Sequence, residues 1–431
     1  MSTGYYAPTY TPHRWPIKGA RMRFGRGSLK KVVIALSTVW LGVPTTATAA
    51  AVSTARFQSA PAGVVLPAGR QGTAADIPWS QVGPGWLLSE WQPVAPSETS
   101  EAAKPAPRSV LFLIDPLGGR YAIGTNATSA DSYLAGWSGD GKRALFETQT
   151  GSPTTSLVTV LQLQSGRTAT FKIAGSGSRS IGFTEPDGLA IIAGGEVVPS
   201  GTTPVQRFDL DGALAYTYPT SFARAGRVDG GLLYAPDGAE LILGTTGGFE
   251  VVTNSGQPVR YLPMSKGAGT CQPTRWWAAG VMLASCVRPN SGVPLLWLVP
   301  TNGARPKPLT VTPKRDSGDL GDVDAWSLSG GVYLQDIGAC GYIYLAKLGA
   351  AGRTTPVKVP GTEEGKSVYV LGAYHDKLAL TTSFACSPGS VSLLWFDPAS
   401  DVVTPLLGPP VNGGSTGTVL LWGQTPYFPE F

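Results

Sequence analysis

The sequence predicts an all-β fold, a β-propeller of seven four-stranded blades, and three observations carry that prediction. The first is composition: 56 glycines and 37 prolines lie between short Val, Ile, Leu and aromatic runs, and no amphipathic helical stretch is found from Ile77 onward. The second is a recurring turn. WSGDGKRALF from Trp137 returns as FTEPDGLAII from Phe183 and as LYAPDGAELIL from Leu233. The third is spacing, because Gly85, Gly141, Gly188, Gly238, Gly280, Gly331 and Lys377 mark equivalent turns at steps of 42 to 56 residues. Four strands in about 45 residues is the length of a propeller blade, with six or eight blades as the neighbouring counts.

Each unit reads the same way. The marked turn precedes an apolar run such as Leu189-Ala190-Ile191-Ile192 or Leu378-Ala379-Leu380, and a third run then ends in an acidic or turn residue, as in Val391 to Asp397. The Asp-Gly pairs Asp140-Gly141, Asp187-Gly188 and Asp237-Gly238 suit a fold-back between first and second strands. Glycine tolerates a left-handed backbone, and the aspartate side chain bonds its own turn. The aromatic residue ahead of each turn is expected to wedge between blades. A ring must also close, since an open blade would leave unpaired strand edges. Thr418 to Trp422 is therefore expected to pair into the first blade beside Trp86 to Trp91.

The segment before the repeats reads differently. Residues 1–50 hold seven cations (Arg14, Lys18, Arg21, Arg23, Arg26, Lys30 and Lys31) and no acid, then an apolar run from Val32 to Val43 and the small residues Ala47 to Ala51. Basic, apolar and small residues in that order describe a secretory signal peptide, with a signal anchor as the alternative; a dozen apolar residues are short for a membrane span. Translation from Met22 would give the ordinary leader MRFGRGSLKK. No cysteine lies near the cleavage region, so a lipid anchor is not indicated. Removing those seven cations from the 33 Lys and Arg leaves 26 against 28 acids, a formal charge of −2. The basic balance thus belongs to the leader, and nucleic-acid binding loses its compositional support. Residues 51–75, rich in Ala, Gly, Pro, Ser and Thr, read as a flexible linker, and 76–431 as the propeller. Pro93 to Pro107 reads as a long surface loop.

Four cysteines lie in the exported part. An even count in an oxidising compartment points to two disulfides, Cys271 with Cys286 inside one hairpin and Cys340 with Cys386 between adjacent blades.

The turns Trp137 to Lys142, Glu185 to Gly188 and Ala235 to Gly238 resemble the W-S-P-D-G-K core of WD40-like repeats in TolB-type β-propellers. The resemblance covers the second to fourth units. It implies a propeller fold and leaves the function open, because such propellers serve as scaffolds, binding modules and enzyme accessories alike.

Chemistry needs a constellation, and few candidates arise. His13 leaves with the leader, and His375 occupies the turn slot of the seventh unit. Gly413-Gly414-Ser415-Thr416-Gly417 matches the nucleophile pattern G-x-S-x-G but sits in a glycine-rich connector, where an elbow would need a strand before it and a helix after it. Asp316, Asp319, Asp322 and Asp324 form the densest acidic stretch, a weak candidate for a calcium site that otherwise reads as a solvated loop. Of the ten tryptophans in the exported part, the adjacent Trp276 and Trp277 must face opposite sides of a strand, which makes one a candidate for the central channel. No catalytic residue, cofactor or bound metal is read from the sequence. The expected function is a secreted, non-catalytic binding or scaffold module at the cell envelope, contacting a protein or small molecule at the channel face. A lyase or glycan-active hydrolase with its site at the channel mouth is the alternative.

Overall fold

The structure is a computed structural model that describes residues 69–93, 109–125, 132–149, 155–174, 181–194, 197–198, 201–202, 204–288, 292–313, 319–338, 342–362, 366–384 and 390–423. Seven sheets of at least four strands follow one another along the chain, built of antiparallel neighbours apart from one parallel edge strand in the first. They are the blades. Blade 2 runs from Ser132–Trp137 at its inner edge to Thr168–Ala174 at its outer edge, and blades 5, 6 and 7 begin on the inner strands Thr270–Ala278, Gly321–Leu328 and Lys366–Tyr374. Among the described residues there is no α-helix.

Seven apolar clusters hold the blades, and each lies between two neighbours. Leu88, Leu113, Leu134 and Phe146 fill the seam between blades 1 and 2, for example, and Leu345, Val368, Leu378 and Phe396 that between blades 6 and 7. The core is therefore a ring of seven seams, because each blade is a sheet that buries both faces against its neighbours.

The last strand closes this ring. Ser415–Leu421 pairs antiparallel with Leu87–Gln92, with Leu421 opposite Leu87 and Leu420 opposite Leu88. Blade 1 takes its inner strand from the end of the chain and its other three from the beginning. Gly85 accordingly follows two short 3-10 turns, Ala74–Asp76 and Trp79–Gln81, and its blade's first strand is the closing one. The closing strand begins three residues before Thr418, so Ser415 to Gly417 are strand and not connector. The expected linker also ends early: Gln71–Thr73 forms a fifth, outer strand of blade 1, parallel to Arg120–Thr125.

The recurring turns work as the sequence suggests. The N–H groups of Lys142, Leu189 and Ala239 each donate at 3.0 Å to Oδ1 of Asp140, Asp187 and Asp237. Gly238 has φ +70°, and a Cβ there would meet the Glu185 carbonyl oxygen of the preceding turn at 2.4 Å. Blade 7 solves the same problem without glycine, placing both His375 and Asp376 in the left-handed region. The aromatics ahead of the turns do enter the seams, with Trp137, Phe183 and Tyr234 buried between their own blade and the preceding one.

Cys271 stands directly opposite Cys286 on neighbouring strands, their Cα atoms 4.0 Å apart, and the two are disulfide-bonded. Cys340, Cys386, the leader and the interior of the Pro93 to Pro107 loop lie outside the described residues.

Candidate functional site at the seam of blades 5 and 6

One seam differs from the others. Between blades 5 and 6 the apolar cluster contains four fully buried residues, Leu283, Leu296, Ala325 and Leu334, where the seam between blades 4 and 5 has twelve buried members. Polar groups continue the thin seam. They come from the stretch that reads as acidic in the sequence and from strands that it does not mark.

The inner strand of blade 6 carries a β-bulge at Val323. Asp322 stands opposite Asp336, whereas Asp324 stands opposite Gln335, so the bulge sends two acids spaced two residues apart to opposite faces. On one face, Asp322, Asp336 and Tyr344 form a row across three strands. Leu334 precedes Asp336 on the same face, which places the row in the blade 5 seam. The Thr310 hydroxyl, which follows the outer strand of blade 5, donates to Asp322 and itself accepts the Leu296 N–H at 3.0 Å. Asp319 lies beside the row, accepting from the Thr354 hydroxyl at 3.1 Å and from the Gly321 N–H at 2.8 Å.

Burial governs these acids. Asp322 is 1% exposed and Asp336 is fully buried. Loss of hydration pushes the Asp336 carboxyl up to about 10, and the hydrogen bond and charge of Asp322 push the same way. Asp322 is raised by burial too, against the hydrogen bonds of Asp336 and Thr310. The donors that reach the two carboxyls are the hydroxyls of Thr310, to Asp322, and Thr354, to Asp336. A proton on Asp336 supplies the donor between them. Near neutral pH Asp336 keeps its proton and is hydrogen-bonded to Asp322, and Tyr344, also raised by burial and by these acids, stays a phenol.

Asp324 takes the other role. Arg275, on the inner strand of blade 5, holds it through Nε at 2.7 Å and through Nη2, and the guanidinium lies 4.4 Å over the Trp326 ring. Among the described residues this is the one ion pair that crosses a seam. Burial raises the Asp324 carboxyl, and the Arg275 charge opposes the rise. A two-pronged guanidinium contact is the geometry that repays desolvation of both ions. On its far side, blade 6 is tied to blade 7 through Gln335, whose Nε2 donates to the Val368 carbonyl at 3.0 Å and whose Oε1 accepts the Val370 N–H.

The solvated-loop reading of the acidic stretch is corrected for Asp322 and Asp324, which are buried strand residues; Asp316 lies outside the described residues. Among the described residues, no three of His, Cys, Asp and Glu converge as metal ligands. Trp276 and Trp277 do face opposite ways, and each packs, partly buried, against a different seam. Trp276 packs in the blade 4 seam and donates to the Tyr234 carbonyl at 2.6 Å, and Trp277 packs in the blade 5–6 seam. His375 is exposed in its turn, its ring 4.1 Å from that of Tyr374. Ser415 of the G-x-S-x-G match opens the closing strand, where a nucleophile elbow would need a helix. Sequence reading missed Asp336 and Arg275. The signal for Asp336 was present as an acid closing an apolar second-strand run, Val332 to Gln335.

Seven meandering blades, the Asp-Gly turns between their first two strands and a closing strand from the end of the chain decide the fold. It is a seven-bladed β-propeller. No family model matches the chain, and no curated protein matches it. Among solved structures, it is similar to the propeller domain of the Trilobed protease from Pyrococcus furiosus, with 11% identity, 77% of this chain and 95% of that chain covered, and a TM-score of 0.49. It is also similar to dihydro-heme d1 dehydrogenase NirN, at 16% identity over 84% of this chain and 83% of that one with a TM-score of 0.43. TolB from Acinetobacter baumannii matches at 12% identity over 78% of this chain and 66% of that one, with a TM-score of 0.37.

Proposed function

We propose that this propeller is exported and acts without catalysis, as a binding or scaffold module at the cell envelope. One observation carries the reading. Asp322, Asp324 and Asp336, whose carboxyls burial raises, are all sealed within blade 6 and engaged with one another, with Thr310 or with Arg275. General acid–base or nucleophilic work requires such groups within reach of a substrate. Here their ionisation serves the seam. Binding needs a shaped concave face with a few polar groups, and loops from seven blades around one axis supply it for a protein or small-molecule ligand. The leader of residues 1–50 supports the location.

The test is a turnover panel on the secreted protein with ester, peptide, glycoside and phosphate substrates, after N-terminal sequencing. The expected results are a mature start near Ala49 and no turnover. Turnover abolished by His375→Ala would replace this reading with an enzyme whose site lies at the channel mouth, and a start upstream of Lys30 would remove the export argument.

A further inference from the structure

We propose that the seam between blades 5 and 6 is a proton-dependent latch, held closed by one proton shared between Asp322 and Asp336 and loosened when both carboxyls ionise. The observations are geometric. The two carboxyls face each other across adjacent strands, both are sealed from water, and the donors that reach them from the rest of the described chain are the uncharged hydroxyls of Thr310 and Thr354. The pair is also attached to the neighbouring blade. Thr310 donates to Asp322, accepts the Leu296 N–H and is followed by Val311, whose N–H bonds the Gly352 carbonyl of blade 6 at 3.1 Å. The apolar cluster beside it is the thinnest of the seven seams, so the polar row makes up a larger part of what holds these two blades together.

The groups facing the pair sharpen the effect. Asp319 ahead of the inner strand adds negative charge, and Tyr344 on the third strand is a neutral phenol. Thr354 on the outer strand and Thr310 from blade 5 are uncharged. Arg275 of blade 5 is held by Asp324, which leaves the strand on the other face, and Lys366 begins the inner strand of blade 7. Ionising the second carboxyl therefore places two like charges side by side in a dry seam, a third nearby, and opening the seam lets water reach them.

The sign follows from linkage. A carboxyl that binds its proton more tightly in the closed seam than in the open one favours closure at low pH. That advantage is lost as pH rises from the ordinary carboxylate range toward the raised value of Asp336.

Amide hydrogen exchange of the whole secreted protein, corrected for intrinsic rates and followed from about pH 6 to about pH 9, reads the latch directly. The opening constant at the Leu296, Thr310 and Val311 amides should rise by up to about tenfold per pH unit, and the strand Arg143–Gln149 in blade 2 should show no such slope. Asp336→Asn, which donates without titrating, should flatten the slope at the seam, whereas Asp376→Asn in the blade 7 turn should leave it intact. Should the Asp336→Asn protein not fold, infrared spectra of the wild-type protein at neutral pH serve instead, with a buried protonated carboxyl band that disappears at alkaline pH as the result expected. A flat wild-type profile, an unchanged slope in the Asp336→Asn protein or the absence of that band overturns the proposal. So does restoration of protection at alkaline pH by added calcium, which would make the pair a cation site.

Discussion

Blade 5 meets its two neighbours by different means. Toward blade 4 it presents Met282, Ala284, Trp297 and Val299 to Leu233, Ile242, Phe249 and Val251, a seam of ordinary core residues that includes the buried disulfide. Toward blade 6 it presents Leu283, Leu296 and Trp277 to little more than Ala325 and Leu334, then Thr310 to Asp322, and Arg275 reaches beyond the seam to Asp324 on the far face of that blade's inner strand. Apolar burial is non-directional and tolerates imperfect fit, so the first seam is held by area. Ions and hydrogen-bonding groups stabilise only in the correct geometry, and a lone buried partner is costly. The second seam is therefore more sensitive to a single change. The same ring is closed by two kinds of bond with different responses to pH and to substitution.

The largest test of the apolar side is the closing strand, which joins two seams at once. Truncation after Gly414 removes Val419, Leu420 and Leu421, each nearly fully buried. At about 1.5 to 3 kcal/mol per buried side chain, the loss should exceed that of any single substitution and appear as a sharply lowered melting temperature. An unchanged melt would mean that the ring does not depend on this strand.

Next in size is the charged side. Arg275→Ala leaves Asp324 buried without its partner and should cost about 3 to 5 kcal/mol by denaturant unfolding. Replacing the pair together, Arg275→Met with Asp324→Leu, should recover most of that loss. If the single change costs less than about 1 kcal/mol, as exposed pairs do, the seam is wet and the contrast with the blade 4 side fails.

The smallest effect belongs to the turns, which serve every blade and define no particular seam. Asp237→Ala removes the acceptor of the Ala239 N–H and should cost about 0.5 to 1.5 kcal/mol, with the pH dependence of the seam untouched. A loss as large as that of Arg275→Ala would show that the turn, and not the seam, limits stability.

These differences also mark where sequence reading succeeds. Asp140, Asp187 and Asp237 are legible because the turn chemistry is local, each side chain bonding a backbone group two residues on. The blade count and the closing strand are legible because a repeat with an unpaired edge has one economical completion. Cys271 and Cys286 are legible because one hairpin brings them opposite. The partners of Trp276 and Trp277 were not legible, because a propeller strand has blades on both sides and its opposite faces lead to two seams.

The sequence by itself determined what repeats: the all-β class, seven blades, their turns, the ring's closure and the pairing within one hairpin, all of which follow from periodicity and short-range chemistry. Only the tertiary structure decided which acids meet. A one-residue bulge at Val323 turns Asp322 toward Asp336 and Asp324 toward the opposite face, and the packing of blade 5 supplies Arg275 from 49 residues away. Strand register and blade contact are properties of the assembled ring, because a slip of one residue exchanges every face while leaving the pattern of residues unchanged.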